Sequence, residues 1–112
     1  MDRKDIKDRY KQLLSRRTKA NMYDGRDRID VYTCEKCGGR VLTTYRDVGV
    51  TPFVIRCARC KSSMVHNYTY LKDAYNGKDK VLEWYRPSFN ELVKMSDGAI
   101  EHVLCGGLIL KR

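Results

Sequence analysis

Hydrophobic positions in this chain change period as it proceeds. Near the start, Ile6, Tyr10, Leu13 and Leu14 recur at spacings of four, three and one among charged neighbours. That spacing predicts an amphipathic helix over residues 2–16. Asp2 or Asp5 falls at its positive dipole end and Arg16-Arg17 at its negative end. Asp5 and Arg9 form an i, i+4 pair in the favourable order. The stripe is narrow, so this helix is marginal alone and must dock, on its own domain or on another subunit. Residues 17–30 show neither period, and Asp24-Gly25 marks a turn. This stretch reads as an extended arm or a plain tether, so residues 1–30 form one unit of helix and arm.

From residue 31 the period shortens to that of strands. Val31-Tyr32-Thr33 is a short strand, and Arg40 to Arg46 is rich in β-branched and aromatic residues. Asp47 to Val50 turns the chain, and Thr51 to Arg56 returns it. Pro52 at the head of that return implies an edge or first position. Ser63 to Tyr70 alternates Met64, His66, Tyr68 and Tyr70 against Val65, Asn67 and Thr69, a half-buried strand. Residues 71–79 are a loop turning at Asn76-Gly77. Val81 to Tyr85 is a strand or extended anchor. Ser88 and Glu91 have capping-box spacing, predicting a helix to about Met95. Ser96 or Asp97 caps another, with Ile100, Val103 and Leu104 on one face and Gly106-Gly107 at its end. Leu108-Ile109-Leu110 is a last strand. The predicted organisation is thus a helix and arm over 1–30, a β unit over 31–70 and a short helical lobe over 71–112.

Cysteine spacing adds the chemistry. Cys34-Glu35-Lys36-Cys37 and Cys57-Ala58-Arg59-Cys60 are two C-x-x-C pairs with 19 residues between them. They predict a tetrahedral site with Cys34, Cys37, Cys57 and Cys60 as ligands to a structural Zn2+. A rubredoxin-like iron site takes the same ligands and spacing leaves it open. Gly38-Gly39 follows the first pair, where a knuckle needs positive φ; Lys61-Ser62 stands at the second, a less typical choice. The segment between the pairs is long enough for one antiparallel excursion and return. The fold class is therefore a small α+β chain: a four-cysteine, antiparallel zinc ribbon with an N-terminal amphipathic helix and a helical C-terminal lobe. A closed four-ligand site has no open position for a substrate, so the scaffold names no activity.

Composition narrows the setting. A β unit this short buries little core, and metal or disulfides usually compensate. Five cysteines also permit two disulfides, but those belong to secreted chains, and the charged N-terminus has no secretory pattern. No run of 18 apolar residues is present, so no membrane partner is expected. A reducing cytoplasm fits. The formal net charge is +9. Residues 1–30 contribute ten basic and six acidic groups, residues 31–70 six and two, and residues 71–112 seven and six. The excess in the first two thirds suits a nucleic acid or an acidic protein surface; it equally describes a solvated basic surface.

The remaining candidates were weighed against plainer readings. Tyr32, Tyr45, Phe53, Tyr68 and Tyr70 interleave with Arg40, Arg46, Arg56, Arg59 and Lys61. A stacking-plus-phosphate surface has this look. A small sheet covering its core with tyrosine also has it, and that reading is preferred. Cys105 and His102 lie three apart, and with His66 would make a thin case for a second metal or a nucleophile; a buried thiol and two ordinary histidines explain them better. No Gly-rich phosphate loop, H-E-x-x-H or G-x-S-x-G occurs. Trp84-Tyr85 and Leu108-Ile109-Leu110 read first as anchors that pack the C-terminal lobe onto the ribbon; the alternative is a neighbouring subunit, for which Ile6, Tyr10, Leu13, Trp84 and Tyr85 are the candidate anchors.

The run from Asn21 to Gly38, together with Gly49-Val50-Thr51-Pro52-Phe53 and Glu101-His102-Val103-Leu104 before Gly106-Gly107, resembles small zinc-ribbon proteins of tailed gut phages, including crAss-like phages. The resemblance spans most of the chain and carries over no catalytic residue. It implies a phage gene product made in a bacterial host cytoplasm. The expectation is a non-enzymatic structural protein that contacts other subunits of an assembly, a capsid or other virion component, with no small-molecule substrate. The alternative is a nucleic-acid-binding ribbon serving phage transcription or replication.

Overall fold

The computed structural model describes residues 2–16 and 24–112. Helix α1 spans Arg3–Arg16; strands β1 (Arg28–Cys34), β2 (Arg40–Tyr45), β3 (Val54–Arg56) and β4 (Ser63–Leu71) follow. A 3-10 turn at Lys72–Ala74 leads to β5 (Val81–Tyr85), α2 (Phe89–Leu92), α3 (Asp97–Leu104) and β6 (Ile109–Lys111). All six strands form one sheet in the order β3-β4-β1-β2-β5-β6. The chain is a small α+β fold with a single mixed sheet.

The ribbon strands β1 to β4 pair antiparallel throughout, but the sheet extends past them, where β5 joins β2 in parallel. One expectation needs correction: the return strand β3 does not pair with β2; it pairs with β4, and β4 and β1 lie between β3 and β2. The reason is local. Each C-x-x-C closes its own hairpin, β1 into β2 and β3 into β4, so each strand takes its nearest neighbour in sequence as partner. Long-range pairing of β1 with β4 then joins the hairpins.

Strand β1 begins at Arg28 rather than Val31. Asp30 hides it from a period count, because a carboxylate inside a strand reads as a breaker. Its carboxylate instead accepts the Thr69 hydroxyl at 2.8 Å, and its carbonyl accepts the Thr43 hydroxyl at 3.2 Å. The part of the expected arm at 17–23 lies outside the described residues.

Alternation divides the sheet into two faces. Tyr32, Cys34, Tyr45, Met64 and Trp84 pack on one face with Cys57, Ile55, Leu108 and Leu110. Ile29, Val31 and Leu42 pack on the other with Tyr70, Tyr75 and Val81. A register shift in β4 opposite Val31/Tyr32 lets Tyr68 and Tyr70 join the second face while Met64 and His66 serve the first. In a flat sheet β3 and β6 would stand about 24 Å apart, five strand spacings. Here Ile55 and Leu110 share one core, so the sheet curls around that face. Arg112 completes the approach by donating from Nη2 to the Arg56 carbonyl at 2.8 Å.

The helices cover the β6 end. Ile6, Leu92, Ile100, Val103 and Leu104 form a separate buried cluster with Tyr10, Phe89 and Ile109 against it. Ser88 makes both bonds of a capping box, and Ser96 caps α3 by accepting the Ala99 N–H. Helix α2 stops at Leu92, short of Met95, and turns toward Ser96. At Gly107 a Cβ would fall 2.3 Å from the His102 ring, so only glycine lets the chain pass that side chain, whose Nε2 pairs with the Leu108 carbonyl at 3.0 Å. Helix α1 docks in cis. Arg9 holds Glu101 of α3 through two bonds of 2.7 Å, and Tyr10 donates to the Pro87 carbonyl at 2.6 Å.

The Arg9 guanidinium holds the Glu101 carboxyl down at about 2. A depressed folded-state value means the pair supports α1 above the ordinary carboxylate range, and that support is lost as pH falls through about 2. Glu101→Gln is expected to raise amide exchange across α1 at neutral pH and leave β1 and β4 amides protected. Unchanged α1 exchange would show that Ile6 and Leu13 dock the helix unaided.

Candidate metal centre

The two knuckles are copies of one backbone design. In the first, the Cys34 N–H donates to the Gly39 carbonyl at 2.8 Å and the Gly38 N–H to the Cys34 carbonyl at 3.0 Å. In the second, the Cys57 N–H donates to the Ser62 carbonyl at 2.8 Å and the Lys61 N–H to the Cys57 carbonyl at 3.0 Å. Both place the fifth residue of the loop in the left-handed region, Gly38 at φ 72° and Lys61 at φ 64°. Lys61 therefore does what glycine does at Gly38, at a steric cost of roughly 1–2 kcal/mol for a residue with a Cβ.

Pairing of β1 with β4 sets Cys34 opposite Met64 and so brings the hairpin ends together. The Cys34 and Cys60 sulfurs are 3.3 Å apart, those of Cys37 and Cys57 3.7 Å, and all four lie within 4.8 Å of one another. Sulfurs at about 2.3 Å from a tetrahedral ion stand about 3.8 Å from each other. The four cysteines cluster as a metal site requires and can hold a metal ion. Cys34 and Cys57 are buried, Cys60 half-buried and Cys37 exposed. Tyr32, Met64 and Ile55 belong to the core cluster that backs the buried side.

Backbone donors favour the ionised sulfurs. The Ser62 backbone and side chain, with Cys34, lower the Cys60 thiol to about 6. The Cys60 and Arg59 amides lower Cys57. At Cys37 the Gly39 amide also lowers the thiol, but hydrogen bonding to Cys34 and burial outweigh it and leave it at about 11. Four negative sulfurs cannot crowd together without a cation; a bound divalent ion reverses that opposition and deprotonates all four.

Cys105 stands apart. It is exposed at the end of α3, and its thiol donates to Glu101 Oε1 at 3.5 Å. His66 does not approach it; His66 Nε2 lies 3.0 Å from the Thr69 hydroxyl and 3.4 Å from Asp30 Oδ1.

The basic residues do not form one surface. Arg40, Arg46, Arg56, Arg59 and Lys61 are all exposed. Arg40 opens β2 and Arg46 follows its last residue, about 20 Å of strand apart. Arg59 and Lys61 lie in the second knuckle with Lys36 in the first, and the Arg59 side chain reaches back over Gly39. Four thiolates and one dication would carry a net −2, which these cations offset locally. The interleaved tyrosines are largely core. Tyr32 donates to the Pro52 carbonyl at 2.6 Å, and burial pushes its phenol up to about 12. Tyr45 is buried and pairs with the Thr51 hydroxyl. Tyr68 and Tyr70 stack edge to face at 4.6 Å.

Of the two dockings open to the candidate anchors, the structure takes the one within the chain. Ile6, Leu13 and Trp84 are buried within this chain. Tyr10 bonds to Pro87, and the Tyr85 hydroxyl donates to Glu91. A narrow stripe and a lone tryptophan look alike whether they dock in cis or in trans. The apolar residues left on the surface are others: Phe53, Val54, Tyr68 and Leu71, with Val50 and Leu14. Phe53 stood among the interleaved aromatics; nothing in the pattern singles out Val54 or Leu71.

A comparison of the chain with protein-family models, curated proteins and solved structures finds no match.

One metal ion per chain is expected by native mass spectrometry, and Cys34→Ser should abolish it. The central sheet should then unfold, because a structural zinc contributes roughly 10–16 kcal/mol in small domains. A metal-free chain that keeps its β-sheet in strong chelator would contradict the centre. Lys61→Gly should raise stability of the metal-loaded protein by about 0.5–1 kcal/mol in denaturant melts, by relieving the left-handed lysine.

Proposed function

We propose that this chain is a non-enzymatic, zinc-stapled structural protein that contacts other protein subunits in an assembly. Zinc is the ion assigned to the site: it takes four thiolates in a closed tetrahedron and needs no redox partner. With all four positions filled by cysteine, no position is left for substrate, which argues against metal catalysis. In the setting implied by the resemblance to phage zinc-ribbon proteins, the concrete form is an auxiliary capsid or head component of a virion, made in the bacterial host cytoplasm.

The observation that carries this reading is the β3–β4 edge. Phe53 is 71% exposed beside β3, Val54 49% exposed on it, and Tyr68 and Leu71 are 56% and 59% exposed on β4. Strand β3 pairs with β4 only at residues 63–65. The remainder of β4, Asn67 to Leu71, carries no charged side chain. Edge strands of solitary proteins are normally blunted with lysine or covered. Exposed apolar and aromatic groups on both faces of such an edge, Phe53 beside His66 on one and Tyr68 on the other, mark a contact surface. The rigid centre holds this edge in shape, and the basic surface suits an acidic neighbour.

The nucleic-acid reading rests on one observation, the grouping of Lys36, Arg40, Arg59 and Lys61 at the knuckle end with Arg56 close by in sequence. It is the weaker of the two, because the metal complex neutralises part of that charge and the ribbon tyrosines Tyr32 and Tyr45 are buried.

Phe53→Ser with Tyr68→Ser tests the assembly reading. The double variant is expected to fold with its metal yet fall at least tenfold in mass-spectrometric counts of purified particles, where the parent chain appears in several copies. Absence of the parent chain from particles would overturn the reading. If it also bound random DNA with an affinity falling roughly a thousandfold between 50 and 200 mM salt, as six phosphate contacts require, the second reading would replace it.

A further inference from the structure

The lining of a second site includes none of the four cysteines. Where β2 and β5 end beside β6, a cavity of about 450 Å³ is lined by Arg46, Asp47, Tyr85, Arg86, Ser88, Glu91 and Lys111. We propose that it binds a small phosphomonoester. Small-molecule clefts span roughly 300–1,000 Å³, so the volume exceeds the needs of a phosphate group and leaves room for the organic part.

Charge and pairing favour an anion. The two carboxylates in the wall are engaged by the fold. Asp47 Oδ2 accepts the Arg86 backbone N–H at 2.7 Å. Glu91 accepts the Ser88 N–H at 3.1 Å through Oε1 and the Tyr85 hydroxyl at 3.3 Å through Oε2. The cations are disposed differently. Arg86 is half-buried, and its Nη2 is tied to the Val48 carbonyl, which fixes the guanidinium in place. Among the described residues, the side chains of Arg46 and Lys111 make no hydrogen bond and no ion pair within 4 Å. Glu83 sits across the β5–β6 pair from Lys111, but outside the cavity lining.

The Arg46 fork and the Lys111 ammonium therefore reach one volume beside the fixed Arg86 guanidinium. A single carboxylate needs only one fork. A phosphomonoester dianion offers three terminal oxygens and twice the charge, which matches this donor set. The half-buried Tyr85 ring on the wall gives a flat apolar surface for a sugar or base.

Calorimetric titration of the metal-loaded full chain at low salt tests this, with inorganic phosphate, AMP, adenosine and acetate as probes. AMP and phosphate are expected to bind and to compete, AMP the more tightly, with adenosine and acetate silent. Arg46→Ala with Lys111→Ala should weaken AMP by at least tenfold, about 1.4 kcal/mol. Both residues are exposed, so the variant should keep its near-ultraviolet circular dichroism. Adenosine binding as tightly as AMP, acetate outcompeting phosphate, no binding of either phosphate probe, or an unaltered affinity in the folded variant would each overturn the proposal.

Discussion

Four cysteine sulfurs within 4.8 Å of one another would repel as thiolates, and both β-hairpins end at that point. Everything else in the sheet is arranged so that this crowding becomes an asset once a cation enters. The knuckles aim amide N–H groups at the sulfurs and lower Cys57 and Cys60. Pairing of β1 with β4 supplies the other half of the constraint, because it fixes the distance between hairpin ends that share no local sequence. A metal ion there would link residues 34 and 60 directly.

Away from that point the fold relies on curl. One face of the sheet closes over Tyr32, Tyr45, Trp84, Met64 and Leu108, so aromatic side chains fill a space that a flat sheet would leave open. The price of curling is a second face that only a few residues cover, and the helices are placed at the β6 end to shield it. The β3–β4 edge receives no such cover. Its exposed Phe53, Val54, Tyr68 and Leu71 are not among the residues that line the cavity beside Arg46 and Lys111.

Much of this was legible in the residues themselves. The C-x-x-C pairs identify their own sulfurs as partners because the ligand spacing of a knuckle is a short-range property of the backbone. The helix at 3–16, the capping box at Ser88 and the cap at Ser96 are equally local: each depends on groups within four residues. Strand β1 was partly missed because the Asp30 carboxylate is tolerated there through groups that arrive from β4, the Thr69 hydroxyl and the His66 ring.

What the amino-acid order determined alone is therefore most of the elements and the four cysteines that cluster, since hydrogen bonds and sulfur geometry over a few residues settle them. Only the tertiary structure decided which strand lies beside which, that β2 meets β5 in parallel, and that Ile6, Leu13 and Trp84 are spent inside the chain instead of on a partner. An apolar side chain carries no address; burial is non-directional, and long-range pairing chooses what it is buried against.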